Sequence, residues 1–420
     1  MTTRGLAPAR TVLDNGAVIV AKESGKTPAV SINLALRAGS IGDPPGAAGS
    51  TYLLSQTIDR GTERRPASEI AEALDDRGIT LSFGVTRHLF SVVCTCLAPD
   101  VEFVLALLAE IVSMPSVPES ELATRKGEAV TTLRQDEDNP AIRAVERLMS
   151  LLYGSEHPYG RPARGTIATI EAATRESLLD LHRQRFAPGE LSVVLVGDLD
   201  VQHVFDVARA VFGSWSAPSP RPIDVPHPAP AAERRRIVIP MMNKSQADIA
   251  YGFTTITRSD PSYFPFWLMN NVFGQYALGG RLGDSIRERQ GMAYYVSSTF
   301  DPNVVEGPLL IRAGVSAANV DRAIASIDEE IAALVRDGIS DKEIAESRQY
   351  MIGSMPRALE TNAGIAQFLQ TSEFFGLGED YDVRLPDRLH AVTRDQVHDV
   401  ARRFLAPERA TIVVAGPYEG

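Results

Sequence analysis

Two stretches of this chain repeat one pattern more than two hundred residues apart. TRESLLDLHRQRFAPGELSVVLVGDL occupies 174 to 199, and TRDQVHDVARRFLAPERATIVVAGPY occupies 393 to 418. Thr393 follows Thr174 by 219 positions, and Phe404 follows Phe186 by 218. Each stretch reads as a helix, a turn carrying Ala-Pro, and an apolar strand that closes on glycine. Repetition at that distance means two domain-sized copies, because short solenoid repeats recur every few tens of residues. Between the copies, six prolines (218, 220, 222, 226, 228, 230) crowd the run from Ser216 to Arg236. That composition gives an extended linker. The expected division is an N-terminal domain over 1–215, the linker over 216–236 and a C-terminal domain over 237–420. The triplet Arg234, Arg235 and Arg236 reads as solvated charge at the mouth of a strand.

Within each half the hydrophobic period switches between two and about 3.6. Val12 to Val20 reads as a hairpin, since Asn15-Gly16 supplies the positive φ that a tight turn requires. Ala29 to Arg37 alternates as a strand. Gly49 to Arg60 and Glu69 to Leu74 read as helices, LSFGVTRHLFSVVCTCL as two strands, and Val101 to Met114 and Glu119 to Leu152 as helices. In the second half, Ile237 to Pro240 and Ala247 to Thr255 read as strands, and Tyr263 to Phe273 and Gly280 to Gln290 as helices. Tyr294 to Thr299 and Leu309 to Val315 are strands again, and three further helices follow through Phe404. The fold class is α+β, with two homologous halves, each an antiparallel sheet covered by helices.

Composition then removes whole classes of function. With 420 residues and a net charge of −11, the chain is large enough for two to four cores and lacks the basic face that nucleic acid requires. No apolar run approaches the roughly 20 residues of a membrane span. Cys94 and Cys96 alternate within an apolar run, as two buried thiols on one face of a strand do, which fits a reducing, cytoplasmic compartment. The seven histidines (88, 157, 182, 203, 227, 390, 398) are scattered, with no pair at i, i+4. Neither a Gly-x-Ser-x-Gly elbow nor a Walker loop is present. His157, in HPYG, is either an acid or base or part of a turn between helices. The TRHLFSVVCTCL segment is a candidate edge strand, open to an added peptide strand or covered by a partner.

LRAGSIGDPPGAAGSTYLLSQTIDRGT, at 36 to 62, resembles the pitrilysin/insulinase zinc peptidases (inverzincins), in particular their processing-peptidase-like short subunits. EDNP at 137–140, HPYGRPARGT at 157–166, RFAPGELSVVLVGD at 185–198 and GGRLGDSIRERQGMAYYVSS at 279–298 extend the likeness over nearly the whole chain. The signature of that family is H-x-x-E-H on a helix, two His for zinc and a Glu as general base. Aligned on Gly61-Thr62, its positions hold Tyr52, Leu53, Leu54, Ser55 and Gln56, so both imidazoles and the base are gone. The third ligand, a Glu further along, corresponds to Thr131 or Thr132, with Glu128 one turn away. Neutral Tyr, Gln and Thr oxygens do not compensate the charge of zinc.

The resemblance implies a second feature. In family subunits without zinc, an Arg and a Tyr after a Gly-Gly turn hold the carboxyl-terminal part of the substrate beside the zinc of the partner. The matching residues are Arg287 and Tyr294. Leu282 and Ile286 face the core at i, i+4, Arg287 sits one position round the helix, and Gly291 ends the helix so that Tyr294 opens a strand. The alternative for this pair is a helix-end Arg bridging to Glu288 or Asp284, with a core Tyr. The implied function is a zinc-free, substrate-positioning subunit, shaped like half of a clamshell, of a two-subunit zinc metallopeptidase acting on peptides or unfolded segments. Zinc would sit in a homologous partner and no cofactor in this chain. A non-proteolytic scaffold and a stand-alone peptide-binding module are the rival expectations.

Overall fold

In the computed structural model, which describes residues 5–276 and 279–420, the elements of the two halves follow one another in closely similar order. The first half runs β1 (Ala9–Val12), β2 (Val18–Glu23), β3 (Ala29–Leu36), α1 (Ser50–Thr57), α2 (Ala67–Asp75), β4 (Ser82–Val85), β5 (Phe90–Leu97), α3 (Val101–Ser113), α4 (Glu119–Glu137), α5 (Pro140–Tyr153), α6 (Ile167–Ala172), α7 (Arg175–Arg185), β6 (Leu191–Gly197) and α8 (Val201–Phe212). The second runs β7 (Arg235–Pro240), β8 (Ala247–Thr254), α9 (Tyr263–Asn270), β9 (Ala293–Phe300), β10 (Pro308–Val315), α10 (Val320–Asp337), α11 (Asp341–Ala358), α12 (Asn362–Phe374), α13 (Tyr381–His390), α14 (Arg394–Phe404) and β11 (Thr411–Gly416). Two π-helical segments, Asn271–Gln275 and Gly283–Arg289, lie between α9 and β9.

Local chemistry explains the repeat. Thr174 and Thr393 each accept a hydrogen bond from the backbone N–H three residues on and complete a capping box, so the same Thr-Arg start launches α7 and α14. Each helix then leads through Ala-Pro into the last strand of its half. The helical region from Glu119 is broken at Asn139-Pro140, where the Asn139 side chain caps α5. Five helices, not three, follow β10. Gly338, with φ +70°, and the Thr361 cap divide what the helical period alone runs together.

The sheets share one topology. The strand orders are β1-β2-β6-β3-β5-β4 and β7-β11-β8-β10-β9, so β2 through β6 correspond in order to β7 through β11. Neither sheet is wholly antiparallel. The last strand of each half inserts beside the first strand of the repeated set and pairs with it in parallel, β6 with β2 and β11 with β7. That central insertion buries β6 and β11 on both faces, which is why their sequences are apolar without alternation.

The second cover for each sheet comes from the other half of the sequence. The compact units are not contiguous: one comprises Met1–Leu133, Pro162–Asp224 and Met355–Arg384, the other Arg134–Arg161, Val225–Ser354 and Leu385–Gly420. In the first, α3 and α8 pack on one face and α12 on the other, where Ile365, Ala366 and Leu369 meet Val20, Val194 and Val196. Gln370 Nε2 donates to Ser192 Oγ at 2.6 Å and Asn362 Nδ2 to the Ala29 carbonyl at 3.1 Å, fixing α12 on the strands. In the second, α5 lies on β8 and β11, with Leu148 and Leu152 over Gly252.

The proline-rich segment has no regular element between residues 215 and 231. It is tied at intervals: Arg185 Nη1 donates to the Arg221 carbonyl at 2.8 Å, and His227 Nδ1 lies 2.9 Å from Glu306 Oε2. The arginine triplet is not simply solvated. Arg234 bridges Asp328 of α10 through two hydrogen bonds (3.0 and 2.8 Å), and Arg236 reaches Asp321 at 2.7 Å, clamping the start of β7 to that helix. Cys94 and Cys96 are buried free thiols, and burial pushes both up to about 12. Among the described residues no helix is long and apolar enough to cross a membrane.

Leu148→Ala should cost about 2–5 kcal/mol through the cavity it leaves. Hydrogen exchange should report lost protection in β8 and β11 rather than in β3 and β6, although Leu148 lies in the first half of the sequence.

Candidate functional site

The helix aligned with the family zinc motif is α1. Its N-terminus is held by the buried Asp43 carboxylate, which accepts from Gly49 N–H at 2.7 Å, Thr51 N–H at 2.8 Å and Thr51 Oγ1 at 2.6 Å. Leu53 and Leu54 lie fully in the core. Of the three motif positions, Ser55 Oγ donates to the Tyr52 carbonyl at 2.6 Å, Gln56 Nε2 donates to Ser55 Oγ at 3.1 Å, and the Tyr52 ring lies 6.0 Å from the Arg164 guanidinium carbon. On α4, Thr131 and Thr132 donate back to the carbonyls of Gly127 and Glu128, and the exposed Glu128 carboxylate pairs with Arg125 at 2.5 Å. Among the described residues, no group of three or more His, Cys, Asp or Glu is placed to hold a metal ion.

The second unit carries the Arg and Tyr. Leu282 and Ile286 are fully buried, and Arg287 projects from the π-helical segment Gly283–Arg289 with its side chain 44% exposed. Its one ion pair among the described residues is a loose 3.8 Å approach to Glu288. Gly291, with φ +61°, ends the segment; its N–H donates to the Arg287 carbonyl at 3.0 Å, and Met292 N–H reaches the Ile286 carbonyl at 3.1 Å. Two residues later the chain enters β9, an edge strand of its sheet.

Tyr294 is the extra residue of a β-bulge. Gly314 and Val315 are neighbours on β10, yet they pair with Tyr295 and Ala293 on β9. A bulge re-aims a side chain, and Tyr294 is 82% exposed, which excludes the core-aromatic alternative. The adjacent Tyr295 turns inward, donating to the buried Asp248 carboxylate at 2.5 Å. Burial and that carboxylate push the Tyr295 phenol up to about 12. One tyrosine of the pair therefore anchors the strand and the other is presented to solvent. Of the residues singled out in the sequence, Arg287 and Tyr294 sit on one unit, on consecutive irregular elements.

A family model described as insulinase (peptidase family M16) matches residues 18–166, and one described as the peptidase M16 inactive domain matches residues 172–351. The chain belongs to the insulinase family, M16. An uncharacterized zinc protease of Streptomyces coelicolor is 24% identical to it over 97% of this chain and 89% of that protein. The uncharacterized zinc protease YmxG of Bacillus subtilis is 25% identical over 97% and 98%. The crystal structure of a peptidase M16 inactive domain from Pseudomonas fluorescens is 26% identical, covers 98% of both chains and superposes with a TM-score of 0.90.

The zinc that an M16 fold implies does not fit the residues of α1. Tyr52, Ser55 and Gln56 bring no carboxylate and no imidazole, and the Ser55 hydroxyl and Gln56 amide are engaged in hydrogen bonds within the helix. His157 is structural: its Nδ1 accepts from Tyr159 N–H at 3.0 Å, which leaves Nε2 to donate to the Pro226 carbonyl at 2.8 Å. A cleft of about 910 Å³ in the first unit is lined by groups already committed, His182 to the Val112 carbonyl at 2.8 Å and Glu110 to Arg65 at 3.4 Å.

The second unit also carries an exposed pair, Tyr276 and Tyr350, for which no local sequence signal exists because the two lie far apart along the chain. The sequence did contain the glycine turn between them, and that turn is braced by Arg281. Arg281 grips both Glu343 oxygens, at 2.6 and 2.9 Å, and the Gly338 carbonyl at 2.8 Å. Burial alone would raise the Glu343 carboxyl, but hydrogen bonds from Arg281 and Ser340 hold it down at about 2.

His88 supplies a pH test of the fold. Burial, aided by Arg87, lowers its pKa to about 4, so between about 4 and the ordinary 6.5 the unfolded chain binds a proton that the folded one does not. Stability should be full above pH 6.5 and fall as the pH drops toward 4. His88→Gln should flatten part of that fall in urea midpoints compared at pH 7 and pH 4.5.

Proposed function

We propose that this chain is the zinc-free, substrate-positioning subunit of a two-subunit M16 metallopeptidase that cleaves peptides or unfolded protein segments in the cytoplasm. A homologous partner supplies zinc, the attacking water and the general base. This chain supplies Arg287 and Tyr294. The observation that carries the reading is the contrast between them and α1: the motif positions are neutral and self-bonded, while Arg287 and Tyr294 stay exposed on a π-helical end and a strand bulge. A guanidinium fork suits the carboxylate or a carbonyl of a peptide, and a phenol adds one further donor. Similarity to proteins named zinc proteases over almost their full length supports an M16 peptidase context for this chain.

The partnership has a direct test. The purified chain should hold no stoichiometric zinc by elemental analysis and cleave no peptide. Mixed with a zinc-bearing homologue, it should co-elute as a hetero-oligomer and create activity that neither chain has alone. A homologue fully active by itself, ignoring this chain in size-exclusion runs, would favour the scaffold instead.

The roles of the two residues are tested in that assembly. Arg287→Ala should lower kcat/KM about ten- to a hundredfold, the worth of a charge-assisted hydrogen bond of roughly 1.5–3 kcal/mol. Tyr294→Phe should cost less, since it removes one hydroxyl. Both variants should still bind the partner, and near-normal kinetics in the double variant would end the assignment.

A further inference from the structure

Beside the Gly279-Gly280 turn, the second unit holds a cleft of about 660 Å³ whose opposite wall is α11. Tyr276 and Tyr350 meet across it, ring centroids 4.2 Å apart and planes at 57°, and the two remain 43% and 41% exposed. The turn is shaped to the first of these rings. A Cβ on Gly279 would lie 2.2 Å from Tyr276 Cε1, so only glycine lets the ring lie down on the backbone there.

The charges of the cleft are unequal. Among its described lining residues Arg281 is the one cation, and both carboxylate oxygens of Glu343 together with the Gly338 carbonyl occupy it. Asp284 and Glu346 remain. Their partners are on the surface, Arg289 at 2.9 Å and Lys342 at 3.8 Å, and exposed pairs of that kind exchange with water at little cost. Two partly exposed tyrosine rings with two exchangeable carboxylates make a receptor for a planar cation. Guanidinium suits it better than ammonium, because it stacks on aromatic faces, sheds water more easily and donates along its edge while stacked.

We propose that this cleft binds an arginine side chain of an extended peptide, its guanidinium stacked on Tyr276 and Tyr350 and its N–H groups shared by Glu346 and Asp284. The proposal rests on the reading of this chain as a peptide-positioning subunit. It adds a preference for arginine that Arg287 and Tyr294 do not themselves confer.

The test uses the purified full chain and two fluorescein-labelled, end-blocked hexapeptides, identical except for arginine or citrulline at one position. Citrulline keeps the shape and removes the charge. The arginine peptide should bind about tenfold tighter by fluorescence anisotropy, in line with a partly desolvated cation–π contact plus charge. Tyr350→Ala and the near-isosteric Glu346→Gln should each bring that ratio below about threefold. Both residues are exposed on α11, and unchanged urea midpoints would confirm that the variants fold. Arg287→Ala should weaken both peptides equally and leave the ratio alone. Equal wild-type affinity for the two peptides, or a ratio untouched in both cleft variants, overturns the arginine site. If Arg287→Ala still weakens both peptides in that case, peptide holding stands. Absence of binding by either peptide overturns both.

Discussion

Two-sided burial of the central strands is the constraint on which the other features rest. β6 and β11 carry apolar side chains on both faces, and an apolar face left in water costs roughly 25 cal/mol for each Å² exposed. The helices that follow each strand order locally cover one face. The other face is covered by α12 in the first unit and by α5 in the second, each drawn from the opposite half of the sequence. Neither sheet is complete without a segment that belongs, by sequence, to its twin. An exchange of this kind demands contacts between residues far apart along the chain, which is slow to form and hard to undo piecemeal.

Covering faces leaves edges. β4 and β9 occupy equivalent outer positions in the two sheets, and both lie beside the elements that carry family chemistry: α1 packs near β4, and the π-helical segment with Arg287 packs on β9. The two halves differ at these edges. In the first, the motif positions of α1 hold neutral residues, with Ser55 donating to the Tyr52 carbonyl and accepting from Gln56. The helix itself is held by Asp43 and by its buried leucines. In the second half the edge carries two irregularities. A π-helical segment and a bulge are local departures from regular hydrogen bonding, and they hold Arg287 and Tyr294 out of the packing that engages their neighbours Ile286 and Tyr295.

The aromatic cleft belongs to the same edge region, and its geometry depends on one small residue. Gly279 admits the Tyr276 ring, and Arg281, two residues on, locks the turn to α11 through Glu343. The glycine at 279 thus has a steric role. It sits in a tight turn with one face taken by an aromatic ring and the next side chain fixed by a bidentate ion pair.

Sequence alone determined what depends on neighbours along the chain. The hairpin at Asn15-Gly16, the capped helices beginning at Thr174 and Thr393, the helix end at Gly291 and the duplication are all written in short-range pattern, because turns, caps and periodic faces are set within a few residues. The loss of the zinc ligands was equally legible, since ligand chemistry is a property of residue type. Tertiary structure decided what depends on partners distant in sequence. A period of two or 3.6 says that a face is apolar without saying what covers it, so the exchange of α5 and α12 and the parallel insertion of β6 and β11 had no local signature. The bulge that expels Tyr294 while Tyr295 turns to Asp248 is a register shift between two strands, and register is a relation that neither strand contains alone. Tyr276 and Tyr350 meet only because Arg281 and Glu343 fix the turn against α11, so their pairing too was decided by the fold.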